Sequence, residues 1–230
     1  MAPDSFPDSA GVPETRPKEK PVPVPGDTLS LEKQLLGKGY QAVAGLDEAG
    51  RGPLAGPVVA GAVILPSGCD HTRFKDSKKL APRRRQLLFT YLRDCGATIG
   101  IGIVSARRIE EINILQASLL AMKRAVQQQV QAGLAPDYLL VDGKFSVPID
   151  IPQQTIVKGE SASASIAAAS IVAKVTRDEI MAGYHERFPA YNFIQNQGYP
   201  TGEHRRAIAE HGPCEIHRRT FKGVREYFDD

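Results

Sequence analysis

Tryptophan is missing, and cysteine and methionine occur only three times each in 230 residues. Cys69, Cys95 and Cys214 are an odd number at wide spacing with no C-x-x-C pair. That pattern excludes a disulfide framework and a zinc knuckle, so reduced thiols are expected. Long apolar runs are also missing. The longest uncharged apolar stretch, Gly52 to Ser67, is broken by Pro53, Pro57 and Pro66, whereas a membrane helix needs about 20 apolar residues. The first residues lack a basic segment followed by an apolar one and are too acidic for a transit peptide, which makes the cytoplasm the expected compartment. No G-x-x-x-x-G-K-[ST] element occurs, so nucleoside triphosphate binding is not indicated. His185, His204, His211 and His217 follow no metal-ligand spacing and read as surface or structural residues.

The rest of the composition is that of an ordinary folded domain. Apolar residues make up 42% and charged residues 24%, which excludes wholesale disorder and fibrous repeats; the length suits a single core. Seven of the 17 prolines fall in residues 1–30, a segment with too little apolar surface to offset its ordering entropy, read as a flexible tail. The predicted organisation is that tail, one folded domain over 31–225, and a short tail over 226–230. The tail is net acidic while the remainder carries an excess of five positive charges. That permits an anionic polymer as partner.

Apolar patterning predicts a short helix over 31–36, strands over 42–47, 58–65 and 98–104, and a helix from Pro82 to about Arg93. Ser105 offers an N-cap, and an apolar stripe at Ile109, Ile112, Leu115, Leu119, Met122, Val126 and Val130 predicts one continuous helix. Strand 138–141 follows that crossover and is expected to pair in parallel, while the first strands are expected to be antiparallel. A short strand over 155–157 and an alanine-rich helix from Ser163 to about Tyr184 come next, and loops and short helices follow Phe188.

Acidic residues end two of these strands: Asp47 and Glu48 on the first, Asp142 on the fourth. A carboxylate at the end of an apolar strand must be solvated, paired or bound to a cation. Asp178, on the alanine-rich helix, faces partly inward beside Lys174, with which an i, i+4 ion pair is the structural alternative. Together the four acids, with no matching histidine or cysteine, form a hard oxygen site suited to Mg²⁺ or Mn²⁺. Gly50-Arg51-Gly52 would let backbone approach a ligand closely, with Arg51 in reach of a phosphate. Basic clusters at Lys75/Lys78/Lys79, Arg83–Arg85, Arg107/Arg108, Arg205/Arg206 and His217–Arg219 fit a groove that tracks a sugar–phosphate backbone.

The segment Gly45-Leu46-Asp47-Glu48-Ala49-Gly50-Arg51-Gly52-Pro53-Leu54-Ala55-Gly56-Pro57 resembles the signature of ribonuclease HII, the type 2 ribonuclease H family. Further matches follow in order: Asp76-Ser77-Lys78-Lys79-Leu80, Asn113-Ile114-Leu115-Gln116-Ala117, Val141-Asp142-Gly143, Ser165 to Ile171, Ala173 to Asp178, Gly198-Tyr199-Pro200-Thr201 and His217-Arg218-Arg219-Thr220-Phe221. They span residues 40 to about 225.

The resemblance implies an α/β, RNase H-like fold: a mixed central sheet flanked by helices, with a helical C-terminal region that helps grip substrate. It implies a monomeric, divalent-metal-dependent enzyme (Mn²⁺ or Mg²⁺). Such an enzyme would cut the RNA strand of RNA–DNA hybrids and incise duplex DNA at embedded ribonucleotides, leaving 3′-hydroxyl and 5′-phosphate ends. By the same resemblance Asp47, Glu48, Asp142 and Asp178 match the metal-binding tetrad. Gly50, Arg51 and Gly52 match the tripeptide that senses the ribose 2′-hydroxyl, Tyr199 the tyrosine that packs on the next deoxyribose, and Lys78 a phosphate contact. The chain departs from the family where Lys158-Gly159-Glu160 replaces the frequent Lys-Gly-Asp and Ala162 a frequent basic residue. A metal-dependent DNA nuclease on a similar sheet is the enzymatic alternative; a non-catalytic hybrid-binding module would require a broken tetrad.

Overall fold

The computed structural model describes residues 27–74 and 80–228. Lys78, most of the proline-rich segment and residues 229–230 lie outside the described residues; the final residues assigned to the tail, 27–30, lie within them and lead into the first helix.

Five strands form one mixed sheet: β1 (Val43–Ala49), β2 (Val58–Ile64), β3 (Thr98–Val104), β4 (Tyr138–Asp142) and β5 (Gln153–Ile156), in the order β3-β2-β1-β4-β5. The first three pair antiparallel, while β4 joins β1 in parallel and β5 joins β4 in parallel. β1 and β2 are joined by a short loop and β4 is reached by a long crossover, which fits their antiparallel and parallel pairing; β2 and β3 pair antiparallel although a helix lies between them in the chain. The helices are α1 (Ser30–Gly37), α2 (Pro82–Asp94), α3 (Ala106–Gln131), α4 (Ala164–Arg187), α5 (Phe193–Asn196) and α6 (Gly202–His211). Strand β5 begins two residues before its predicted start, and Val157, predicted to be part of it, is exposed.

Helix α3 covers one face of the sheet and α4 the other. Small residues permit both contacts. A Cβ at Gly102 would lie 1.9 Å from the Ala121 carbonyl oxygen on α3, and one at Gly61 would lie 2.5 Å from that of Ala169 on α4. The alternation of isoleucine and glycine in β3 therefore gives α3 the glycine face. The alanine run Ala167–Ala169 presses α4 onto β1 and β2, with all three residues buried.

The predicted continuous α3 is interrupted. Asn113 has φ 65° and ψ 165°, which breaks the helix into two segments, and its Oδ1 accepts a hydrogen bond from Gln116 N at 3.1 Å, capping the second. These angles fall in a glycine-favoured region, so the position is strained, and the side-chain cap offsets part of that strain. The apolar stripe continues across the break, so periodicity alone does not reveal it. Ser105 caps the first segment as predicted, accepting from Arg108 N at 3.3 Å.

The end of α4 and the chain after it build a third cluster from Met181, Tyr191, Phe193, Ala207, Ile208 and Ile216, into which Leu54 and Ala55 insert from the loop after β1. A single β-bridge joins Ala55 to His217. The cysteines are free; the Cys95 thiol donates to Cys69 Sγ at 3.6 Å, with no disulfide between them. No helix among the described residues is long and apolar enough to cross a membrane.

Candidate metal and nucleic-acid site

Parallel pairing places Leu46 beside Val141, so the next residues of both strands, Asp47 and Asp142, emerge together at one sheet edge. Asp47 is 2% exposed, and its Oδ1 accepts from Glu48 N at 2.7 Å. Asp142 Oδ1 accepts from Gly159 N at 2.7 Å. That bond draws in the short helical turn Gly159–Ser161, which follows Lys158 in the left-handed conformation (φ 58°). The turn delivers a third acid. One carboxylate oxygen from each of Asp47, Asp142 and Glu160 lies within 4.8 Å of the others.

This grouping differs from the expected tetrad. Glu48 borders the same cavity and pairs with Arg51 Nη1 at 3.0 Å, outside the three-acid group. Asp178 is drawn to cations instead: Lys174 Nζ from its own helix at 2.6 Å and Arg85 Nη2 from α2 at 3.5 Å. The i, i+4 ion pair is thus present. In the sequence Glu160 stands out only as a departure from the family motif; its place beside Asp47 and Asp142 depends on the turn after Lys158, which no spacing rule announces.

The donor set fits a divalent cation of the Mg²⁺ or Mn²⁺ class, since all three ligand atoms are hard oxygens. Two like charges 4.8 Å apart repel by about 3.5 kcal/mol at an effective dielectric near 20. Such a cluster is therefore most stable with a cation between its members.

Beside the acids opens a cavity of about 330 Å³, walled by Glu48, Gly50-Arg51-Gly52, Arg85, Lys174 and Tyr199. Glu48 and Arg51 also line a shallow depression shared with Asp142, Lys144 and Phe145. The sequence-predicted sugar-reading residues are therefore adjacent: a Cβ at Gly52 would lie 3.7 Å from Tyr199 Cε1, and the Tyr199 ring is partly exposed.

The family model for ribonuclease HII matches residues 44–224. The chain belongs to the ribonuclease HII family. It is 58% identical to the ribonuclease HII of Desulfotalea psychrophila over 90% of this chain and 92% of that protein. It is 54% identical to that of Geotalea uraniireducens over 86% and 91% of the two chains. Among solved structures, ribonuclease H2 from Pyrococcus horikoshii superposes with a TM-score of 0.65 at 26% identity, covering 81% of this chain and 97% of that one. The protein is thus a ribonuclease H, a hydrolase with an RNase H-like fold, and membership supports hydrolysis of the RNA strand of RNA–DNA hybrids.

Behind the cavity wall of this ribonuclease H lie two buried arginines, Arg177, which no sequence signal singles out, and Arg218 of the fifth basic cluster. Arg177 donates to Pro57 O (3.0 Å), Ala55 O (3.1 Å) and Gln197 O (3.0 Å). Arg218 donates to Gly56 O (3.0 Å), Arg51 O (3.0 Å) and Gly50 O (2.6 Å). Burial, with Arg177 close by, pushes the Arg218 guanidinium down to about 9. Gly50, at φ 97°, is glycine of necessity, because a Cβ would sit 2.2 Å from Arg177 Nε.

The fifth basic cluster, His217–Arg219, is therefore not a groove face, since His217 and Arg218 are fully buried and only Arg219 is exposed. His204 is buried too, while His211 is exposed, so the histidines divide between structure and surface. Arg83, Arg84, Arg107, Arg108, Arg205 and Arg206 are exposed.

Proposed function

We propose that this chain, within the hydrolysis of RNA paired to DNA, also incises duplex DNA on the 5′ side of single embedded ribonucleotides, leaving 3′-hydroxyl and 5′-phosphate ends. The observation that carries this reading is the junction of the three-acid cluster with a cavity whose far wall is Gly50-Arg51-Gly52 facing Tyr199. The reacting phosphate and the sugar that marks it would then be held side by side.

Asp47, Asp142 and Glu160 would hold the divalent ion, with Glu48 at the cavity border beside them. When bound, one or two such ions supply polarisation of the scissile phosphate, a more acidic water and charge compensation for the leaving oxygen. The protein's own residues do the rest. Arg51, half exposed, is placed to meet a phosphate once released from Glu48. The backbone of 50–52 can approach a 2′-hydroxyl without reading the base, because that hydroxyl distinguishes ribose from deoxyribose. The Tyr199 ring offers a platform for the following deoxyribose, where a second 2′-hydroxyl would crowd it. Lys174 and Arg85, oriented by Asp178, line the wall and add positive charge for the backbone to follow.

The test compares an all-DNA duplex, the same duplex with one ribonucleotide, and an RNA–DNA hybrid, for the natural chain and for Asp142→Asn. Incision is expected at the lone ribonucleotide and in the hybrid. The variant should bind both substrates with a loss of at least about 10²-fold in kcat, as expected when a metal ligand is removed. Equal cutting of the all-DNA duplex would identify a DNA nuclease instead.

A further inference from the structure

The two walls of the cavity come from distant parts of the chain, yet neighbouring residues of one C-terminal segment hold both. Arg218 holds the first wall. Its guanidinium binds the carbonyls of Gly50 and Arg51, and its backbone N donates to Leu54 O at 2.8 Å. His217 holds the second wall through a relay. Cys214 N donates to His217 Nδ1 at 2.9 Å, His217 Nε2 meets His204 Nε2 at 3.0 Å, and His204 Nδ1 meets Tyr199 O at 2.9 Å.

The two backbone ends of this relay determine where its protons sit. Cys214 N–H can only donate, so neutral His217 carries its proton on Nε2 and donates it to His204 Nε2. His204 then carries its proton on Nδ1 and donates to the Tyr199 carbonyl, which can only accept. Both rings are buried, and burial lowers both from the usual histidine range, so this neutral arrangement holds at neutral pH. Ring contacts with Tyr191 and Phe193 fix the histidines laterally.

We infer that His217 and Arg218 act as a spacer, setting the gap between the Gly50–Gly52 loop and Tyr199, and are therefore specificity-determining positioning residues for the sugar that enters it. Their hydrogen bonds run to the 50–56 loop, Cys214 and His204, so their effect falls on sugar recognition rather than on metal binding. This rests on the proposed reading of the cavity as a sugar-sensing site.

The experiment measures kcat/KM on a duplex with one ribonucleotide and on an RNA–DNA hybrid, using the full chain, with Mn²⁺ affinity and thermal melting as controls. His217→Leu cuts the relay. His217→Gln keeps an N–H donor near the Nε2 position, and Arg218→Lys keeps charge and bulk but gives up the two-pronged grip. Relative to the natural chain, His217→Leu and Arg218→Lys should lower the single-ribonucleotide to hybrid ratio roughly tenfold, with Mn²⁺ affinity unchanged and His217→Gln recovering most of the ratio. If His217→Leu fails to fold, Arg218→Lys and His217→Gln still decide the matter, the first expected to shift the ratio and the second to keep it. An unchanged ratio in Arg218→Lys, or an equal loss on both substrates, overturns the spacer role alone. Absence of single-ribonucleotide incision by the natural chain overturns the proposed function and the spacer role together.

Discussion

Glu160, where the sequence departs from the Lys-Gly-Asp motif by one methylene, brings a carboxylate oxygen within 4.8 Å of those of Asp47 and Asp142. Asp178 has the opposite fate, because Lys174 and Arg85 satisfy it locally. These environments predict different behaviour. Glu160→Gln, which keeps shape and removes charge, should weaken Mn²⁺ binding by about tenfold or more, since affinity at such sites follows ligand charge. Asp178→Asn should leave Mn²⁺ affinity nearly unchanged while loosening Arg85 and Lys174. Calorimetric titration with Mn²⁺ separates the two, and the reverse ranking would return Asp178 to the metal group.

Among the elements, α3 carries the clearest local conflict. Its apolar stripe favours one helix, yet Asn113 adopts a conformation outside the helical region, at a strain on the order of 1–3 kcal/mol. The compensation is a new helix start, capped by the Asn113 side chain, with Leu115 and Ser118 facing the depression next to Asp142. Asn113→Ala should therefore cost about 2 kcal/mol through added strain and a lost cap, whereas Asn113→Gly loses only the cap and should cost less. Urea denaturation of both variants checks the order; equal stability of Asn113→Ala and the natural chain would show that the break relaxes into a straight helix.

For the whole molecule, the C-terminal region is joined to the loop after β1 through the buried Arg218 as well as through the Leu54 and Ala55 contacts, and it holds a buried His204–His217 pair within itself. That buried pair makes stability depend on pH. Burial, and next the neighbouring His204, lower His217 from the usual range to about 4. Its unfolded form takes up a proton near pH 6.5, so below that pH the unfolded chain binds more protons than the folded one. The stabilisation is complete above about pH 6.5 and is lost as pH falls toward 4, a change on the order of 3 kcal/mol. Denaturation midpoints at pH 7 and pH 4.5 should differ accordingly, and His217→Gln should flatten the difference. An identical pH profile for the variant would show that other groups carry the acid sensitivity.

What the chain determines by itself is local: the apolar periods that set strands and helices, the N-cap at Ser105, and the acids Asp47 and Asp142 toward the ends of two apolar strands. The crossover fixes the direction of β4 relative to β3, but its place beside β1, which brings the two carboxylates together, belongs to the sheet order. The tertiary structure alone decided that Glu160 joins them while Asp178 turns to Lys174 and Arg85, and that His217 and Arg218 are interior supports rather than an exposed basic face. The reason is distance along the chain. Arg218 grips a carbonyl 168 residues away at Gly50, and no period or spacing of side chains records which buried donor will meet which distant acceptor until the core has closed around both.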